Sequence, residues 1–380
     1  MKGSIYKRGR TWTLVYDAPA GDGRRRQVAT GGFKTKREAE AALTDTLQRL
    51  QTGNFVEASK LTLAGFLDRW LDSTRASVRP STLEGYRVLV EAHIKPRLGS
   101  TPLQKLTPAQ LNGFYADLLE SGRCNGRGGL SARTVRYCHA TIRKALGDGL
   151  KWGGLVSRNV AVAATPPKQR AAPPLRVWTV DELRAFLRHT EGDYYFPPLF
   201  LAATSGMRRG EVLGLRWTDL DLAAGRIAVR QSLVAVKGEL IFSAPKTAKG
   251  RRNVALDERT VAVLKAHRKR VLEDRMTLGR GTPDAEGLVF TAPDGAPVNP
   301  ESFSDHFTRL VKAASLPLIR FHDLRHSHAT LALQAGVHPK VVSERLGHST
   351  VAFTLDVYSH AIPAMQEEAA ERVAVLVFGG

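Results

Sequence analysis

The chain has 380 residues, enough for two or three domains with real cores, and its 43% hydrophobic content excludes wholesale disorder. Its 56 Lys and Arg against 36 Asp and Glu leave a formal charge of +20, which points to a polyanion, with nucleic acid ahead of an anionic membrane surface. Two cysteines, Cys124 and Cys138, lack zinc-finger spacing and exclude a disulfide framework. The first residues show no signal-peptide apolar run, and no stretch of about 18 apolar residues could span a bilayer, so a cytoplasmic, nucleoid-associated protein is expected.

The basic excess is uneven. Residues 1–57 hold 11 basic and 6 acidic side chains, 58–170 hold 18 and 7, and 171–380 hold 27 and 23. A middle stretch with over half of the excess predicts a grip on a polyanion.

Residues 1–57 read as a small sheet followed by a helix. Thr11–Tyr16 alternates with the period of a strand and puts Trp12, Leu14 and Tyr16 on one face. The stretch 17–26, with Arg24, Arg25 and Arg26, predicts a basic hairpin loop, and Gln27–Thr30 the next strand. Thr35 with Glu38 forms a capping box, opening a helix with Ala39, Leu43, Leu47 and Leu50 on one side.

Residues 58–170 read as a helical bundle. Its four apolar stripes are Leu61 to Leu71; Leu83, Tyr86, Val90 and Ile94; Leu111, Phe114, Leu118 and Leu119; and Val135, Ile142, Leu146 and Leu150. Ser81 with Glu84 and Thr107 with Gln110 predict capping boxes, and Pro108 suits a first helical position. Arg123, Arg127, Arg133, Arg136, Arg143 and Lys144 gather at the Gly-rich loop 121–129 and the fourth helix. They are candidates for phosphate contacts, which position a protein on DNA without reading sequence. Four prolines in 165–174 predict an extended linker to a third domain over 175–380. Thr179 with Glu182 then caps a further helix.

Six residues in this last part carry the chemistry. They are Arg208 in Ser-Gly-Met-Arg-Arg-Gly-Glu, Lys246 in Ala-Pro-Lys-Thr on an expected hairpin between the strand-like runs Leu240–Ser243 and Asn253–Leu256, His322 and Arg325 in His-Asp-Leu-Arg-His, His348 in Leu-Gly-His-Ser, and Tyr358 in Asp-Val-Tyr-Ser-His. Cleaving a phosphodiester without a metal requires an in-line nucleophile, cations on the non-bridging oxygens and an acid for the leaving oxygen. Guanidinium forks match phosphate oxygens and keep their charge. A phenol is protonated at neutral pH, and adjacent cations would favour its phenolate. His322 could accept the tyrosine proton or hold a phosphate oxygen. A zinc reading of His322, His326 and His328 lacks a third signalled ligand, so no metal and no cofactor is expected.

In this order and with these neighbours the six residues resemble the catalytic set of the tyrosine recombinases of phage-integrase type. The resemblance implies a multidomain protein, mainly α with small β-sheets (α+β). Its parts would be an arm-type DNA-binding domain (1–57), a helical core-DNA-binding domain (58–170) and a mixed α/β catalytic domain of the DNA breaking-rejoining type (175–380). It assigns Arg208 and Arg325 to the phosphate, with Arg209 the tempting wrong choice, and Lys246 to the leaving 5′ oxygen, with Lys249 its rival. His348 would donate to a phosphate oxygen, and Tyr358 would form a 3′-phosphotyrosyl link. The implied partners are double-stranded attachment sites, a synaptic tetramer coupled by the tail carrying Ala369, Val373, Leu376 and Val377, and a host bending or directionality factor. A topoisomerase-like or telomere-resolving enzyme shares the chemistry, and a non-cutting DNA-binding regulator is the reading from another class.

Overall fold

The computed structural model describes residues 3–19, 25–51, 59–153, 155–169, 175–245, 250–277, 287–358 and 373–379. The chain divides into two compact units, Met1–Ala171 and Ala172–Gly380.

The first unit begins with an antiparallel sheet of β1 (Gly3–Arg8), β2 (Thr11–Pro19) and β3 (Arg25–Phe33), in that order. The two strands legible in the sequence are thus joined by a third, and the loop between β2 and β3 shrinks to residues outside those described. Strand alternation buries Leu14, Tyr16 and Ala18 in a cluster with Leu43, Leu47 and Leu50 of α1 (Lys36–Gln51). The predicted capping box forms: the Glu38 N–H donates to Thr35 Oγ1 (3.2 Å) and the Thr35 N–H to Glu38 Oε2 (3.3 Å).

The bundle follows. Its helices are α2 (Leu63–Thr74), α3 (Pro80–Leu89) continuing through a π-helical turn at Val90–Ile94 into α4 (Lys95–Leu98), α5 (Pro108–Ser121) and α6 (Ala132–Trp152). Phe66, Leu67, Trp70, Ile94, Leu111, Phe114, Val135 and Ile142 form one core; removing a single aromatic there costs about 3–5 kcal/mol. The Thr107–Gln110 box forms around Pro108. The Ser81–Glu84 box does not. Pro80, with φ pre-set for helix, starts α3 two residues early, so Arg79 is the cap and Ser81 lies inside the helix. Residues 165–169 belong to no helix or strand and are tied to the bundle, the Thr165 N–H donating to Asn112 Oδ1 (2.8 Å) and Arg136 Nη1 to the Pro167 carbonyl (3.3 Å).

The second unit contains α7 (Val180–His189), α8 (Phe196–Ser205) and α9 (Arg209–Leu213), then β4 (Leu220–Asp221), β5 (Arg226–Val229), β6 (Ser232–Val236), β7 (Glu239–Ser243) and β8 (Arg252–Ala255). It continues with α10 (Glu258–Thr277), α11 (Pro300–Ala313), α12 (Phe321–Gln334), α13 (Pro339–Leu346) and α14 (Val351–Tyr358). The Thr179–Glu182 box caps α7 as predicted. Helix α8 is apolar nearly all round, with Leu199, Phe200, Leu201, Ala202 and Ala203 buried, and therefore runs through the interior against α12. An aromatic group of Trp178, Phe186, Phe307 and Phe321 holds α7, α11 and α12 together.

The strands correct one expectation. β7 pairs with β6 in a hairpin, whereas β8 pairs with β5 in the sheet β4-β5-β8. The strand-like runs on either side of Lys246 therefore belong to different sheets and do not pair with each other in a hairpin.

Candidate active site

The site is built on three helix ends. Helix α8 stops at Gly206 and α13 at Gly347, both left-handed, with φ of +66° and +69°. At Gly206 any other residue would be strained, because φ is positive and an added Cβ would lie 2.7 Å from both His328 and Leu346. Each glycine turns its carbonyl onto an arginine from elsewhere in the chain: Arg325 Nη1 donates to Gly206 O (2.8 Å) and Arg208 Nη2 to Gly347 O (3.1 Å).

The last-turn carbonyls of a helix have no partners of their own. In α13 they gather three guanidinium groups. Arg252 Nε donates to Arg345 O (2.6 Å), Arg325 Nη2 to Leu346 O (2.7 Å), and Arg208 to Gly347 O as above. Cations at this end also complement the helix dipole. Glu211, buried in α9, lies between two of them, with Oε1 2.8 Å from Arg208 Nη1 and Oε2 2.8 Å from Arg252 Nη2. Burial pushes the Glu211 carboxyl up, but Arg252 and Arg208 outweigh it, so it stays below its usual range and charged. Three guanidinium groups facing one carboxylate leave an unbalanced positive site that favours an anion.

Arg325 is 3% exposed; burial, then Arg208, pull its pKa to about 9, so it stays cationic at neutral pH. His348 is buried beside it. Burial, then Arg325 and Arg208, push its imidazole down to about 3. It is therefore neutral, with Nδ1 2.8 Å from Thr354 Oγ1. Burial, then His326 and Arg325, likewise hold His322 at about 4.

Tyr358 closes α14 and is fully buried. Its ring lies parallel to His348, with centroids 6.5 Å apart and planes at 14°. Its hydroxyl is 2.8 Å from His326 Nδ1. Burial raises the phenol to about 12 and Arg325 only partly opposes it, so the expectation that neighbouring cations favour the phenolate fails in the free protein. A buried phenolate loses its hydration, and one nearby cation does not replace it.

The structure thus brings Arg208, His322, Arg325, His348 and Tyr358 into one neighbourhood, drawn from the start of α9, from α12, and from the turn between α13 and the end of α14. Lys246 and Lys249 lie outside the described residues. Arg209 points elsewhere, donating to Ser304 Oγ of α11 (2.6 Å). The sequence reading missed Arg252 and the contact between His326 and Tyr358. Arg252 shows only as one of two arginines before a strand, and His326 only as a residue one turn after His322.

In the first unit, α6 presents Arg133, Arg136 and Arg143 with Tyr137 and His139 along a groove of about 720 Å³. Arg133 sits 5.7 Å over the Tyr137 ring, Lys144 pairs with Asp148 (3.0 Å), and Arg123 Nε donates to Gly129 O (3.1 Å). Arg127 and Arg26 are exposed; Arg24 lies outside the described residues, and of Arg25 only the backbone, in β3, is described. Among the described residues no helix is long and apolar enough to cross a membrane.

Comparison with known proteins accounts for this arrangement. The profile of the phage integrase family matches residues 177–365, that of the phage integrase N-terminal SAM-like domain residues 62–119, and that of an Arm DNA-binding domain residues 4–50. A XerC-like tyrosine recombinase of Caldanaerobacter subterraneus subsp. tengcongensis is 27% identical over 356 residues, 89% of each chain. The ICEBs1 integrase of Bacillus subtilis is 26% identical over 94% of each chain, and a putative prophage phiRv2 integrase of Mycobacterium tuberculosis 28% identical over 96% of this chain and 92% of its own. The fold is shared with the Tn1549 transposon integrase in complex with a circular intermediate DNA, at TM-score 0.66 and 22% identity over 81% of this chain and 99% of that one. It is also shared with a lambda integrase dimer bound to a COC′ core site, at TM-score 0.56 and 18% identity over 93% of this chain and 94% of that one. The chain belongs to the phage integrase family of tyrosine recombinases, and it is a site-specific recombinase.

Proposed function

We propose that this recombinase integrates or excises a phage or other mobile element by way of a covalent 3′-phosphotyrosyl intermediate. The observation that carries the reading is the convergence of Arg208, Arg325, neutral His348 and Tyr358 on the C-terminal end of α13. Arg208 and Arg325 hold the non-bridging oxygens of the scissile phosphate, and His348 donates to one of them. Tyr358 attacks phosphorus, and Lys246 gives a proton to the departing 5′ oxygen. The 5′ hydroxyl of a partner duplex then attacks the tyrosyl ester and frees the phenol. The bond energy is kept in the ester, so the chemistry consumes no nucleotide triphosphate.

The substrate is a double-stranded attachment site; the Tn1549 transposon integrase has been seen in complex with a circular intermediate DNA and a lambda integrase dimer bound to a COC′ core site. Residues 1–57 take arm sites, 58–170 cover the core site through the α6 arginines, and 175–380 cut. A lambda integrase tetramer has been seen on a Holliday junction, and four copies of this chain would synapse in the same manner. The exposed apolar residues Val373, Leu376 and Val377 support a tail that docks on a neighbouring copy. A host bending or directionality factor assists, and the protein works on the nucleoid in the cytoplasm.

The test is capture on a nicked oligonucleotide bearing the target site. The wild type forms a denaturant-resistant adduct that maps to Tyr358, and Tyr358→Phe binds DNA but forms none. An adduct at another residue, or none from the wild type, overturns the reading.

A further inference from the structure

Among the described residues, the side chain that meets the Tyr358 hydroxyl is none of the six singled out from the sequence. His326 Nδ1 lies 2.8 Å from Tyr358 Oη. We propose that His326 is the catalytic base that takes the proton from Tyr358, a role the sequence reading left open to His322. The proposal rests on the reading of Tyr358 as nucleophile.

Two histidine rings, His326 and His348, lie against the phenol, and His322 lies against His326; geometry separates the three. His322 meets the edge of the His326 ring, with centroids 5.0 Å apart and planes at 87°. His348 lies parallel to the Tyr358 ring at 6.5 Å, and its Nδ1 is engaged by Thr354. Imidazole lone pairs lie in the ring plane, so a stacked ring does not aim one at the phenol O–H. The His326 ring is tilted 53° to the phenol and has Nδ1 within hydrogen-bond distance of the oxygen. His326 also sits in the middle of α12, one residue after Arg325, which is anchored on two carbonyls. The arginine that would bind phosphate and the group that would take the proton are therefore fixed by one helix turn.

The charge state suits the role. His322, Asp323 and Arg325 on α12, Arg320 at its start, and His348 and Tyr358 from the α13–α14 segment are the titratable and charged groups facing His326. Burial lowers its pKa; Asp323 opposes this, while Arg325 and Arg320 add to it. The imidazole is neutral near pH 7 and, with its proton on Nε2, accepts from the phenol. As the Tyr358 Oη–P bond forms, the hydroxyl proton moves to His326 Nδ1. The P–O5′ bond breaks, and the leaving oxygen takes its proton from Lys246. In the reverse step the incoming 5′ hydroxyl gives its proton to Lys246 as its oxygen bonds to phosphorus, the Tyr358 Oη–P bond breaks, and His326 returns its proton to the leaving phenolate.

The test measures adduct formation on a nicked target duplex across pH, for the full-length wild type, His326→Gln and His322→Gln. Gln keeps an acceptor for the phenol but does not take its proton. His326→Gln is expected to slow adduct formation about 10²-fold or more near neutral pH, to bind DNA normally and to lose the acid limb of the wild-type profile. His322→Gln keeps that limb. A duplex with sulfur replacing the bridging 5′ oxygen, whose leaving group needs no acid, should not rescue His326→Gln. A His326→Gln rate within about threefold of wild type, an unchanged acid limb, or rescue by sulfur overturns the proposal. Should His326→Gln fail to fold, the wild-type profile on the sulfur substrate decides: the acid limb persists if His326 is the base, and a flat profile overturns it. Absence of any wild-type adduct at Tyr358 defeats the nucleophile reading itself. A wild-type adduct at Tyr358 with His326→Gln unimpaired defeats only the base.

Discussion

Along α6, Arg133, Arg136 and Arg143 stand exposed on one helix face; at the end of α13, Arg208, Arg252 and Arg325 crowd within hydrogen-bond reach of three consecutive carbonyls. The same side chain meets two kinds of surroundings. On α6 the opposite face (Val135, Cys138, Ile142, Ala145, Leu146) is buried, so helical periodicity alone turns the arginines outward. Water and salt screen such charges, and they suit a phosphate backbone whatever its sequence. At α13 the guanidinium groups are partly or wholly removed from water, and fixed dipoles plus Glu211 offset that cost before any ligand arrives. A charge prepared in that way is worth more to a transition state than a solvated one. The region with the greatest net charge, 58–170, is thus not the region that holds the proposed catalytic set.

Mutations can sharpen this contrast. The largest effect is expected at Arg325. Arg325→Lys keeps a charge but loses the fork that spans Gly206 O and Leu346 O, and adduct formation should fall about 10³-fold while DNA binding changes little. A fall below about tenfold would mean that charge alone suffices. Arg252→Met comes next. It leaves the buried Glu211 carboxylate without the more buried of its two cations and should destabilise the second unit by about 3 kcal/mol, read as a shift in the urea midpoint. Gly206→Ala should cost about 1–3 kcal/mol, through its positive φ and the close approach of Leu346, and should slow cleavage because Gly206 O holds Arg325.

Acidification should act more on the α13 region than on the α6 face, where burial, then Arg143 and Arg136, also lower His139. His322 and His328 are held at about 4 and His348 at about 3, below the ordinary 6.5, so the unfolded chain binds more protons in between. Stability present above pH 6.5 should therefore fall as pH drops toward 4, by roughly 1.4 kcal/mol per pH unit for each histidine at most. Thermal melts from pH 7.5 to 4.5 check this, and His328→Gln should remove one histidine's share of the slope. Arg143→Ala should have the smallest effect: DNA affinity falls a few-fold for every sequence alike, and the slope of log affinity against log salt flattens by about 0.9. A sequence-selective loss would make α6 a reader of bases.

The parts legible in the sequence were those decided within a few residues. The capping boxes at Thr35, Thr107 and Thr179 form as read, because cap and return partner lie within one turn. The box at Ser81 fails for an equally local reason, the rigid φ of Pro80. The Lys246 hairpin was misread because strand pairing is a long-range choice: β7 takes β6 on one side and β8 takes β5 on the other.

By itself, then, the sequence determined the helices, their buried faces, the exposed α6 arginines and the segments that carry reactive side chains. Only the tertiary structure decided which atoms meet. Arg208 and Gly347 are 139 residues apart, and Arg325 and Gly206 are 119 apart. Nothing in the sequence shows that three arginines end on one helix terminus, or that Tyr358 faces His326 and not His322. Periodicity fixes a side chain's direction around its own axis, whereas the partner it finds depends on how separately folded segments pack.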